Sequence, residues 1–162
     1  MSERAEHLTK LANLIDDIEI AMLTTIDEAG ELRSRPMATQ KMGESAELWF
    51  FTNKDAPKVA EAQAHPVALA YAAPSKNRYV SVSGSATIVI DAARARELWK
   101  PEYKLWFPGG VDDPQIGLLR VDIESAEYWD MPSSTFVYIA GFAKAALDGK
   151  TYHPAQHEKL VL

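Results

Sequence analysis

The chain has 162 residues, 47% of them apolar and 25% charged, the proportions of an ordinary globular protein with one hydrophobic core. Seventeen Lys and Arg against 23 Asp and Glu leave a net charge of −6, which argues against nucleic acid or an anionic membrane as partner. The absence of cysteine excludes disulfides, thiolate metal sites and cysteine nucleophiles, and it fits a cytoplasmic protein.

Met1 to His7 has no apolar stretch, so no signal peptide is expected there. Leu8, Leu11, Ile15 and Ile18 then fall on one helical face, and Ser2 can cap a helix over about 3–17. Ile20 to Ile26 reads as a strand, Asp27-Glu28-Ala29-Gly30 as a turn, and Leu32 to Gln40 as a second strand. Pro36 lies inside that strand and marks a sheet edge or a bulge. Ala46 to Thr52 is a third strand. Asp55 can cap a short helix that opens with Pro57 and ends near His65-Pro66.

Val67 to Ala73 is a fully apolar strand, too short to span a membrane. Arg78 to Ile90 is a long strand in which Gly84 marks a bulge or sharp bend. Asp91 caps a helix ending at Trp99-Lys100-Pro101, and residues 101–116 read as irregular. Leu118 to Ile123 and Ala126 to Trp129 read as a last hairpin, followed by a helix over about 135–147 and a tail. Nothing divides the chain, so a single domain over 1–162 is expected, with its barrel at about 19–130. The pattern is mainly β with peripheral helices, an α+β fold built on a small antiparallel barrel.

The glycine patterns of dinucleotide folds, phosphate loops and hydrolase elbows are absent. His153 and His157 have helical metal-ligand spacing, but Pro154 intervenes and no third ligand is evident, so no metal is expected. Residues 33–58 say more. An apolar strand ending in Phe51-Thr52-Asn53, then a helix start carrying Lys58, can form an anion site from a hydroxyl, backbone N–H groups and a cation. The same residues also read plainly as a strand-ending turn and a solvated lysine.

Arg35-Pro36-Met37, Trp49-Phe50-Phe51-Thr52-Asn53 and Lys58, in that order, resemble the pyridoxamine 5′-phosphate oxidase-like family, specifically its bacterial general stress protein branch. Tyr79 to Gly84, Trp106 to Gly110, Asp112-Asp113-Pro114 and Glu127 to Asp130 extend the likeness over about residues 5–132. The resemblance implies an antiparallel split β-barrel of FMN-binding type, homodimeric, with FMN (or FAD) in clefts between subunits. It implies Arg35 near the flavin phosphate and ring, and the Pro36, Met37 and Ala38 segment along the isoalloxazine. Thr52 and Lys58 would lie at the ribityl phosphate, and Phe51 and Asn53 also belong to the expected flavin-binding set. Trp129 would approach the flavin from the other subunit; Trp106, expected to bind the cofactor, reads either as flat apolar surface for the ring or as core packing. Trp49 and Trp99 are expected in the core instead. Ala56 and Pro57 depart from the oxidase, which has hydroxyl and basic residues there.

The function expected on this basis is a flavin-dependent oxidoreductase of unknown substrate, with no identifiable catalytic side chain. The alternative is a flavin carrier or sensor without turnover. A deazaflavin or haem binder ranks below both. Efficient pyridoxamine 5′-phosphate oxidation is not expected, because Gln40 replaces a lysine of the oxidase and Asp130 follows Trp129 where the oxidase carries an Arg-Leu-His element.

Overall fold

A computed structural model describes residues 2–42, 45–131 and 156–161. The C-terminal helix expected at 135–147 lies outside the described residues. Helix α1 (Glu3–Ile15) begins where the Ser2 hydroxyl accepts the Ala5 N–H, with Glu3 and Glu6 in the first turn. Acidic side chains there complement the helix dipole. Leu11, Leu14 and Ile15 are buried, so the apolar stripe is rotated slightly from the expected face, and Leu8 sits at its margin.

Strands β1 (Ile20–Ile26) and β2 (Leu32–Ala38) form a hairpin paired from Ile20–Ala38 to Ile26–Leu32. Its turn is built by Asp27, whose Oδ1 accepts the N–H groups of Ala29 and Glu31, each at 2.9 Å. Gly30 takes φ +79°, a conformation that favours glycine. Strand β3 (Glu47–Asn53) leads to helix α2 (Pro57–Ala64). The residue capping α2 is Ala56 rather than Asp55, and it provides no side-chain bond to the helix start.

Strands β4 (Val67–Ala73) and β5 (Arg78–Val89) are joined by a short 3-10 turn, Pro74–Lys76. Asp91 caps helix α3 (Ala92–Leu98) by accepting the Arg94 N–H, and a 3-10 segment, Pro101–Leu105, follows. Two expectations fail beyond this point. Residues 116–130 form one continuous strand, β6 (Ile116–Asp130), paired with β5 along its length, so the expected hairpin does not exist. Ser83 opposes Ser125 while Gly84 opposes Ile123, which leaves Glu124 as the extra residue of a bulge. Residues 156–161, read as tail, form strand β7 (Gln156–Val161) against the C-terminal half of β6. Leu160 of β7 is buried in the core, which explains the pairing.

The sheet is antiparallel, in the order β2-β1-β4-β5-β6-β3, with β7 also on β6. Pro36 thus lies on an end strand, where its missing N–H breaks no central ladder. The end strands β2 and β3 approach each other without pairing, so the barrel is split along that line. Inside it pack Leu23, Phe50, Leu69, Tyr71, Val82, Leu119 and Val121, each almost wholly buried. No helix among the described residues is long and apolar enough to cross a membrane.

The outer face of the sheet is unusual. Ile20 and Met22 are 46% and 40% exposed, and the alternation of β4 also turns Ala68, Ala70 and Ala72 outward. Met22 pairs with Pro36 on one side and Ala70 on the other, and Ala70 pairs with Ser81. This is a face of small and apolar side chains with few charges.

Candidate functional site at the split

A cleft of about 290 Å³ opens where β2 and β3 separate. Pro36, Met37 and Ala38 line it from β2, and Phe51, Thr52 and Asn53 from β3. Lys58 enters from the first turn of α2, and Tyr103, Trp106 and Phe107 come from the segment after α3. Eight residues singled out in the sequence therefore converge: Pro36, Met37, Ala38, Phe51, Thr52, Asn53, Lys58 and Trp106.

The floor is aromatic. Phe51 meets Trp99 edge-on at 5.5 Å between ring centroids and lies 5.2 Å from Tyr103 and 6.3 Å from Phe107. Such offset and edge contacts fix the rings against one another. Trp106, 61% exposed, stands at the rim beside Tyr103. Trp99 is half-buried against this cluster, and Trp49 is half-buried with the Arg94 guanidinium 4.9 Å over its ring, so neither belongs to the core proper.

The other end of the cleft is polar. Lys58 is partly buried, and its Nζ has the Met37 Sδ at 3.5 Å. Burial first, and the nearby Arg35 guanidinium second, hold the Lys58 pKa below the ordinary 10.5. No carboxylate pairs with it among the described residues. Thr52 is 1% exposed, its hydroxyl making only a long 3.4 Å bond to the Asn53 carbonyl. The uncapped start of α2 lies on the same side, leaving backbone N–H groups that favour negative charge.

Gly117 opposes Thr52, and a Cβ there would fall 2.7 Å from Ile88 Cδ1.

Two of the sequence candidates lie elsewhere. Arg35 does not line the cleft: its Nη1 donates to Thr25 Oγ1 at 2.6 Å and its Nη2 to Glu61 Oε2 at 3.2 Å. Trp129 pairs with Tyr79 on β5 and faces His157 on β7. It lies eleven residues along β6 from Leu118, the partner of Phe51, or on the order of 30 Å of strand. Within one chain Trp129 does not reach the cleft.

Tyr103 is not among the sequence candidates, and Phe107 enters only within the Trp106 to Gly110 segment, because residues 101–116 read as irregular, with Phe107-Pro108-Gly109-Gly110 as a breaker. A second hollow of about 490 Å³ continues from the cleft, sharing Ile20, Ala38, Tyr103 and Trp106 with it. At the junction Gln40 Nε2 donates to the Tyr103 hydroxyl at 2.6 Å. Burial raises the Tyr103 pKa, so that hydroxyl stays protonated at neutral pH.

The family model described as "Pyridoxamine 5′-phosphate oxidase like" matches residues 6–153. The chain belongs to this family. It is 29% identical to protein bli-3 of Neurospora crassa, over 96% of this chain and 78% of that one. Its fold matches a general stress protein 26 from Jannaschia sp. CCS1 with a TM-score of 0.76 at 22% identity, covering 98% of this chain and 99% of that one. A general stress FMN/FAD binding protein from Xanthomonas citri is 32% identical with a TM-score of 0.67, over 80% of this chain and 92% of that one. The split barrel is therefore the architecture of the oxidase-like family, as the sequence led one to expect.

Proposed function

We propose that this chain is an FMN-binding flavoprotein of the general stress type, acting as a flavin-dependent oxidoreductase in a homodimer. The observation that carries this is Lys58, a partly buried cation without a carboxylate partner among the described residues, at the polar end of an aromatic-floored cleft. A phosphorylated flavin requires both features: a cation for a group of about −1.5 to −2 charge and a flat apolar surface for the ring. The likeness to the Xanthomonas citri protein supports the same cofactor class.

When bound, the flavin supplies the hydride or electron transfer. Lys58, the Thr52 hydroxyl and the start of α2 would hold the phosphate. Met37, Ala38 and Phe51 would receive the ring, and the packed aromatic cluster would keep water from that side of the cleft. No described side chain at the cleft is placed as an obligatory general acid or base.

The cleft, at about 290 Å³, is slightly smaller than the usual range of ligand pockets, roughly 300–1,000 Å³. A second copy would enlarge it. Ala38 pairs with Ile20 and Tyr79 pairs with Trp129, and Ile20, Ala72 and Tyr79 belong to the same outward face. A two-fold pair through this face would bring Trp129 of one protomer toward the cleft of the other.

A carrier without turnover is the second reading, favoured by the lack of a catalytic side chain. Mass identification of the chromophore released from purified protein, then turnover of bound flavin with a nicotinamide donor, tests the proposal. Flavin with sustained turnover supports the oxidoreductase. Flavin without turnover by any donor leaves the carrier, and a chromophore other than a flavin rejects both.

A further inference from the structure

Arg35, Thr25 and Glu61 form a closed triad behind the cleft. Thr25 Oγ1 donates to Glu61 Oε2 at 2.7 Å, and Arg35 donates to both partners. Thr25 is 1% exposed, and the side chains of Arg35 and Glu61 are 23% and 15% exposed. Glu61 lies one turn beyond Lys58 on α2, yet its ion pair is with Arg35. One carboxylate thus stands against two cations, and it occupies the one that the cleft does not reach.

We propose that Glu61 is a specificity-determining residue that restrains the anion affinity of the cleft. It holds the Arg35 guanidinium against Thr25, outside the cleft, and so withholds that cation from a ligand phosphate. The inference rests on the flavin reading only for the identity of the phosphorylated ligand. Without ligand, Arg35, Lys58 and Glu61 sum to +1. A phosphate of about −1.5 to −2 brings the group to roughly −0.5 to −1 with Glu61 present, and to roughly 0 to +0.5 once the carboxylate is gone. A glutamine at 61 keeps an acceptor for Thr25 and nearly the same volume while removing the charge. The carboxylate therefore opposes phosphate both by its own field and by its hold on Arg35.

The test compares FMN with riboflavin, which lacks the phosphate, in wild type, Glu61→Gln and Glu61→Asp. Glu61→Gln is expected to raise the ratio of FMN to riboflavin affinity about tenfold, equivalent to about 1.4 kcal/mol, with riboflavin affinity unchanged. Glu61→Asp draws the carboxylate back from Arg35 and should give an intermediate ratio; if Glu61→Gln does not fold, this variant decides alone. A purely structural role would move both flavins together. A ratio equal to or below that of wild type overturns the inference and leaves the flavin reading intact. If wild type binds neither flavin, the flavin reading fails, and titration of the Lys58 side-chain resonance with inorganic phosphate decides the inference. Tighter phosphate binding in Glu61→Gln then upholds it; equal, weaker or absent binding overturns it.

Discussion

Lys58 is held where both its burial and the Arg35 guanidinium oppose its charge. An anion placed beside it would reverse that balance, which is the basis of the proposed phosphate role. Lys58→Ala should weaken FMN by about 1.5–3 kcal/mol, roughly tenfold or more, and riboflavin far less, as read by fluorescence titration. The pH dependence follows from the same shift. Below its depressed pKa, free Lys58 already carries its proton, and FMN affinity is full. As pH rises through that pKa toward 10.5, binding must take up a proton and FMN affinity falls. Lys58→Arg should abolish this alkaline decline, because guanidinium stays charged. Equal weakening of both flavins by Lys58→Ala would mean that the residue supports the fold instead. Gln40 carries a second expectation. It is engaged with Tyr103 at the mouth of the adjoining hollow and brings no cation for a substrate phosphate. Asp130, with Arg78 at 3.8 Å, lies next to Trp129. Pyridoxine 5′-phosphate mixed anaerobically with flavin-loaded protein should therefore leave the flavin oxidised, and rapid bleaching would show the opposite.

At the scale of elements, the bulge between β5 and β6 is the joint that lets one long strand serve two neighbours. The N-terminal part of β6 pairs with β3, and its C-terminal part pairs with β7. Gly84 permits this because its backbone lies against β6: a Cβ there would fall 2.2 Å from the Asp122 carbonyl oxygen. Gly84→Ala should cost about 1–3 kcal/mol in urea unfolding, since the obstruction is backbone and cannot rotate away. A stability equal to wild type would show that the strands shift freely. Gly84 was readable in the sequence as an interruption of a strong β pattern. Its consequence was not, because Glu124-Ser125 reads as a polar break between two strands, whereas the bulge absorbs Glu124 and the strand continues. The residues of the cleft on β2 and β3 were legible for a similar reason: Pro36 and Thr52-Asn53 punctuate strands whose alternation is otherwise clear. Tyr103 and Phe107 were not, since a 3-10 segment between prolines has no repeating apolar period. Strand β7 was hidden by its polarity; Leu160 is its one clear inward anchor among the side chains described.

For the whole molecule, the proposed homodimer rests on the outward face of β1 and β4. Ile20, Met22, Ala68, Ala70 and Ala72 form an apolar sheet face with little charge to keep it in water. Light scattering should report a dimer. Ala70→Glu should convert it to monomer while leaving the fold intact, because Ala70 points away from the core. FMN affinity should fall with dissociation if the cleft is completed by Trp129 of a second copy, and a monomer that binds FMN as well as wild type would confine the site to one chain. The most direct measurement of the central claim is calorimetric titration of folded wild-type protein, stripped of any chromophore, with FMN. One FMN per chain is the expected result. Absence of binding by well-folded dimer would contradict it.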